Sequence, residues 1–313
     1  MKTDIKWPNG KQFAFTIFDD TDNSTVQNAP KVYDFLSELG MLTTKSVWPI
    51  KGEDVPLIGG STCDNPEYLQ WVLNLMQQGF EIALHNVAYH TSKRLQINEG
   101  IEKFKSYFGY YPNVHANHVD CLDSIYWGDE RLSGFYKFIY NLITQYKKNG
   151  QFKGTTQSSD FFWGDICQER IQYVRNFVYS NINTLKACPY MPYFDERKPY
   201  VNNWFASSEG ANCQSFCQTI TEANQDRLEE EGGCCIMYTH FGSASFYEQG
   251  KLNAEFKRLI KRLSSKGGWF APVSTILDYI QKQRGTYSIT LKEHQRLERK
   301  WLINKVFYTR GTS

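Results

Sequence analysis

Phe13-Ala14-Phe15-Thr16-Ile17-Phe18-Asp19-Asp20-Thr21-Asp22 is a largely apolar run without alternation that ends in three carboxylates within a single turn's length. A short run of this kind fits a strand buried on both faces, as in a parallel sheet covered by helices. Its acidic end then emerges at the carboxyl edge of the sheet, where α/β proteins place their chemistry. Carboxylates this close repel one another unless a cation or a shared proton relieves them, which fits a metal ligand beside a base. The alternative is an acidic turn that caps the next helix.

Outward from that stretch, strand and helix signals alternate. A helix begins at Asn28-Ala29-Pro30, carries Val32, Phe35, Leu36 and Leu39 on one face and stops at Gly40. Ser46–Ile50 reads as a second strand, and Asp64-Asn65-Pro66 opens a helix with Leu69, Val72, Leu73 and Met76 inward. Glu81–His85 is a third strand. Ile97, Ile101, Phe104 and Phe108 then recur at helical spacing, and Val114–His118 ends a fourth strand. This order argues for parallel strands joined by right-handed crossovers, which a barrel or a doubly wound sheet would satisfy.

The second half is less regular. Leu132–Tyr146 is expected as a helix with Phe135, Phe138, Ile139, Leu142 and Ile143 inward. Residues 151–210, rich in aromatic residues between turn formers, are expected as an insertion packed over a sheet edge. Regularity returns with a helix over Ala223–Glu231, a strand Cys234–Tyr238, a helix through Leu252–Leu263, a strand Trp269–Val273 and a last helix capped by Ser274. Thr290-Leu291-Lys292-Glu293 is a capping-box pattern opening a charged helix that docks by Leu297 and Trp301. One elaborated domain over 1–285 with a helical extension over 286–313 is the expected organisation.

The 313 residues carry a formal charge of +2, from 35 basic and 33 acidic side chains, so net charge gives no reason to expect nucleic acid or an anionic membrane as partner. No stretch has the length of a signal-peptide core or a membrane span, so a cytoplasmic protein without membrane insertion is expected. The eight cysteines contain no CxxC pair and read as reduced thiols. The spacing of Cys213, Cys217 and Cys234-Cys235 matches no usual zinc pattern.

Of the six histidines, His85, His90, His115, His118 and His240 fall at or just past strand ends. Each alone is more often a hydrogen-bonded structural residue than a ligand. Together with Asp19 and Asp20 they describe a convergent site, because carboxyl ends of parallel strands face one way. Two imidazoles and a carboxylate are the usual set for a hydrolytic zinc site with open positions.

In order, Phe18-Asp19-Asp20, then Gly79-Phe80-Glu81-Ile82-Ala83-Leu84-His85 with His90, then a strand ending in His, and finally Ile236-Met237-Tyr238-Thr239-His240 resemble the motifs of the polysaccharide deacetylases, the NodB-like carbohydrate esterases, over roughly residues 10–280. The resemblance implies an irregular (β/α) barrel of about seven parallel strands and removal of acetyl groups from N-acetylated sugars with a bound divalent metal, zinc foremost, with cobalt, manganese or nickel as substitutes. It implies Asp19 as general base, Asp20, His85 and His90 as metal ligands, and His240 as the acid that protonates the leaving amine; Asp22 receives no role. His115, Asn117 and His118 stand where the family carries an arginine that orients the catalytic aspartate, and with Trp163 and Trp204 they are expected to meet a carbohydrate substrate. The histidine spacing is one residue longer than the family's, which leaves Asn86 as an alternative to His85. Two other readings stand: a metal hydrolase of a non-sugar amide or ester, and a barrel without activity that binds glycans.

Overall fold

The computed structural model describes residues 5–307; residues 1–4, which open the chain, and 308–313, which end the expected extension, lie outside it. Seven parallel strands form a closed barrel: β1 (Phe13–Asp19), β2 (Thr44–Val47), β3 (Glu81–Leu84), β4 (Val114–His115), β5 (Tyr173–Tyr179), β6 (Asn203–Ser208) and β7 (Cys234–Thr239). They pair in chain order, and β7 returns to β1 along its length, from Ala14 opposite Cys234 to Asp19 opposite Thr239. A small hairpin, β8 (Tyr247–Glu248) and β9 (Lys251–Leu252), follows. The short strand β10 (Gly268–Phe270) pairs with Phe13–Phe15 and β2 with Phe18 and Asp19 on one side of β1, while β7 pairs along the other. That is why β1 is buried over its full length and carries no polar alternation.

Helices cover the barrel: α1 (Ala29–Glu38), α2 (Pro66–Gln77), α3 (Arg94–Phe108), α4 (Gly134–Ile143), α5 (Gly164–Arg170), α6 (Thr184–Ala187), α7 (Cys213–Thr219), α8 (Glu222–Glu230), α9 (Ala254–Ser264), α10 (Val273–Arg284) and α11 (Leu291–Phe307). Their starts follow local chemistry. The Asn28 side chain accepts from Ala29 N, and the Asn65 side chain accepts from Glu67 N and Tyr68 N. After α1 the chain turns at Gly40, whose φ of 65° suits a residue without Cβ. In α3, Ile97, Ile101, Phe104 and Phe108 are all buried, as their spacing requires.

Beyond shifts at element ends, such as β2 at Thr44–Val47 and Val273 in α10 rather than in the last strand, further features differ from the expectation. Residues 151–210 are not an excursion, because they supply β5 and β6, two staves of the barrel, separated by turns rather than by a long helix. Of the residues of α4 expected inside, Ile139 packs against the core, whereas Phe135, Phe138, Leu142 and Ile143 are exposed. Ser274 lies inside α10 rather than at its cap, and the buried Glu81 carboxylate accepts from Ser274 N (3.1 Å) and Thr44 Oγ1 (2.6 Å) at that helix end. The tail follows its capping box, with Thr290 N donating to Glu293 Oε2 at 3.0 Å and Glu293 N to Thr290 Oγ1 at 3.3 Å. Leu297 and Trp301 of α11 are buried.

Candidate metal centre and active site

Because β1, β3, β4 and β7 run parallel, the residues that follow them gather at one end of the barrel. Asp20 and Asp22 come after β1, His85 after β3, Asn117 and His118 after β4, and His240 after β7. They meet at a shallow cavity of about 70 Å³ that Asp20, Asp22, His85, Asn117, Arg175 and His240 line, with Trp127 and Tyr238 on its walls.

Three ligand-type atoms form a nearly equilateral triangle there. Asp22 Oδ1 lies 3.2 Å from His85 Nε2 and 3.2 Å from His118 Nδ1, and the two imidazole nitrogens are 3.2 Å apart. His85 Nδ1 donates to the Ala116 carbonyl at 3.0 Å, so a neutral His85 presents a lone pair at Nε2. Asp22 Oδ1 is buried and meets no hydroxyl or backbone N–H. Ligands at about 2.0–2.1 Å around a tetrahedral ion are themselves roughly 3.3 Å apart, so the triangle has the dimensions of one coordination face. Asp22, His85 and His118 can hold one divalent cation. Burial alone would raise the Asp22 carboxyl, but the imidazoles of His118, His240 and His85 hold it well below the usual carboxylate range.

Loop geometry builds this triangle. Asn86, at φ 53°, a left-handed conformation that Asn tolerates, turns the chain after His85. Its side chain accepts the backbone N–H of His118 at 3.0 Å and donates to Asp123 Oδ2 at 2.8 Å, tying the β3 end to the β4 end. Trp48 backs both imidazoles, with ring centroids 6.2 Å from His85 and 5.1 Å from His118.

Beside the triangle stand two further groups. Asp20 receives a two-pronged contact from Arg175, Nη1 to Oδ1 at 2.9 Å and Nη2 to Oδ2 at 2.5 Å. Burial raises the Asp20 carboxyl, yet the guanidinium prevails and holds it below its ordinary value, so Asp20 is a carboxylate at neutral pH. His240 Nδ1 donates to the Ala211 carbonyl at 2.6 Å, and its Nε2 lies 3.2 Å from Asp22 Oδ2 and 3.9 Å from Asp20 Oδ2. Burial opposes its protonation, but the carboxylates of Asp22 and Asp20 push it up to about 9. The site therefore sets Asp20 and His240, 3.9 Å apart, beside the triangle of Asp22, His85 and His118.

Several expected residues stand elsewhere. Asp19 does not face the cavity: it is fully buried between Lys45 Nζ (3.0 Å), Tyr33 OH (2.9 Å) and Phe241 N (2.7 Å), and burial lifts its carboxyl despite Lys45. His90 does not join the triangle, because both nitrogens are engaged: Nε2 accepts from Glu53 N at 2.5 Å and Nδ1 donates to the Thr91 carbonyl at 2.7 Å. Asp20 meets Arg175 and sits 3.9 Å from His85 Nε2, so the ligand-type carboxylate is Asp22. His115 packs edge-on to Trp163, with burial lowering it to about 3, and so stays a neutral structural imidazole. Trp163 and Trp204 are core residues; Trp163 Nε1 donates to the Asp123 carbonyl at 2.6 Å. Asn117 lines the cavity and His118 faces Asp22 rather than open space.

Asp22, Ile58, Val119, Trp127, Arg175 and Tyr238 are the cavity residues that the sequence reading left without a role. Arg175 had a signal: a cation inside Tyr173-Val174-Arg175-Asn176-Phe177-Val178-Tyr179 must find a buried anion. Arg175, on β5, reaches the Asp20 carboxylate that follows β1.

No protein-family model and no curated protein matches the chain. Among solved structures, a Mycobacterium smegmatis protein described as a polysaccharide deacetylase superposes with a TM-score of 0.53 at 12% identity, over 91% of this chain and 96% of that one. PuuE allantoinase follows at 0.48 and 10% identity over 88% of this chain and 92% of that one. A probable polysaccharide deacetylase from Pseudomonas aeruginosa PAO1 gives 0.47 and 12% over 88% and 93%. With its closed barrel of seven parallel strands and its sites at the carboxyl ends, the chain has the NodB-like fold of the polysaccharide deacetylases.

Proposed function

We propose that the protein is a metal-dependent hydrolase that removes acetyl groups from N-acetylated sugars. The observation that carries this reading is the triangle of Asp22, His85 and His118 with 3.2 Å sides, flanked by the Arg175-held Asp20 and by His240. When bound there, a divalent ion such as zinc polarises the amide carbonyl and makes a water acidic enough to attack at neutral pH.

The chain's own groups supply the rest. Asp20, kept ionised by Arg175, accepts the proton that the attacking water gives up. Arg175 fixes the carboxylate plane, so one oxygen keeps its aim at the gap. His240, oriented by the Ala211 carbonyl, delivers a proton to the departing nitrogen, which would otherwise leave as an anion. Trp127 offers a flat apolar wall to a sugar ring. Assigning the base to Asp20 and the carboxylate ligand to Asp22 shifts both roles along the acidic stretch from where the motif resemblance implies them.

A second reading, hydrolysis of a non-sugar amide, is favoured by one observation: Trp163 and Trp204 are core residues, which leaves Trp127 as the tryptophan on the cavity wall. The test is elemental analysis of the purified protein, followed by acetate release from N-acetylated sugars, their nucleotide-linked forms and simple N-acetyl amines. Bound metal with release from the sugars is expected. Release from the simple amines alone selects the second reading, and absence of bound metal overturns both.

A further inference from the structure

Helix α4 is turned inside out. Phe135 (67% exposed), Phe138 (52%), Leu142 (52%) and Ile143 (55%) face water, with Tyr146 (50%) just beyond the helix end, whereas the buried residue of α4 is Asn141. Positions 135, 138 and 142 fall on one helical stripe. Its inner face is carried by Ile139, Tyr136 and Tyr140, and Tyr140 meets Trp301 of α11 at a centroid distance of 5.8 Å. A contiguous apolar stripe turned to solvent marks a surface that meets something else.

What it meets is indicated by charge. From Leu132 to Ser159 the sequence has no Asp or Glu but has Lys137, Lys147, Lys148 and Lys153. Lys137 is paired with Asp129 at 3.1 Å and Lys148 with Asp120, while the exposed Lys147 has no ion pair among the described residues. Asp129 and Asp120 thus neutralise two of these four lysines, which leaves the turn after α4 the charges of Lys147 and Lys153. We propose that α4 and the turn after it form a peripheral docking surface for an anionic lipid bilayer, with the aromatic and aliphatic stripe in the headgroup boundary and Lys147 and Lys153 against the lipid charge. A second copy of the chain fits less well, because self-pairing of this stripe would bring like lysines together. None of the described helices is long and apolar enough to cross a membrane, so the surface lies on the bilayer.

Co-sedimentation with phosphatidylcholine vesicles, with and without phosphatidylglycerol, tests the surface without recourse to activity, and so independently of the hydrolase reading. The full chain should sediment with the phosphatidylglycerol vesicles and be released by high salt. Phe138→Ser combined with Leu142→Ser, both exposed changes, should abolish binding while leaving the thermal melt in place. Lys147→Gln should weaken it about fivefold. Absence of binding to either vesicle, or equal binding by wild type and the double variant, overturns the proposal. So does a stable dimer in sedimentation velocity that the double variant dissociates.

Discussion

Asp19, Asp20 and Asp22 are chemically alike, and the barrel gives each a different neighbour. Asp19 meets Lys45 and Tyr33, Asp20 meets Arg175, and Asp22 meets three imidazoles. The assignment is separable by metal content. Asp22→Asn and His118→Ala should each weaken zinc retention by at least about 100-fold, more than the loss of a supporting contact outside the ligand set. His90→Ala should leave retention unchanged, as measured by elemental analysis after dialysis against a competing chelator. Loss of metal in His90→Ala with retention in His118→Ala would restore the spacing-based ligand set. Arg175→Met tests the base. It strands a buried carboxylate, which costs about 3–5 kcal/mol in urea unfolding and raises the Asp20 carboxyl. Because Asp20 is depressed below 3.8 in the folded wild type, its contribution to stability is present above that pH and is lost as pH falls through the folded value. In the variant the acid limb of the pH–rate profile should move to higher pH, a shift that a purely structural lesion would not produce.

At the scale of elements, strand order and helix spacing were legible because burial enforces period: β1, α1, α3 and β7 lie where their apolar residues put them. The assignment within the acidic stretch was also legible in principle. Adjacent strand-end residues face opposite sides while i and i+2 share one, which separates Asp19 from the pair Asp20 and Asp22. His90 was not legible, since its direction depends on a loop whose turn is set by Asn86 and by contacts with Glu53 and Thr91. Nor was α4, because periodicity reports a stripe without saying which side of it is water. The C-terminal helix rests on a stack that joins distant segments. Arg131 is buried with its guanidinium 3.2 Å from the Trp127 ring centroid and 5.1 Å from that of Trp301. Trp301→Ala should therefore lower stability by about 3–5 kcal/mol in urea unfolding. Metal content should stay unchanged, because the hydrogen bonds and ring contacts of Asp22, His85 and His118 described above are made with residues outside α11. Metal loss accompanying that destabilisation would mean that the helix holds the site as well as the fold.

Across the whole molecule, the site depends on closure. β7 returns to β1, which brings the loop after His240 against the loop that carries Asp22, more than two hundred residues apart in the chain. Gly242 sits at that crossing. A Cβ there would lie 2.3 Å from Ser24 N, 2.4 Å from Asn23 C and 2.4 Å from the Asp22 carbonyl oxygen, all backbone atoms that cannot rotate aside. Gly242→Ala must then push the acidic loop by a substantial fraction of an ångström or open the β7 end. Overpacking of this kind costs about 1–3 kcal/mol, which a barrel closed on itself can bear. Coordination at 2.0–2.1 Å tolerates such a displacement far less well. The variant should fold, with a circular dichroism spectrum like that of wild type and a modestly lower melting temperature, yet hold zinc about 10–100-fold more weakly in a chelator competition. Unchanged affinity would show that the Asp22 loop relaxes independently of barrel closure, and that the triangle is set locally by Asn86 and Trp48 rather than by the return of the last barrel strand.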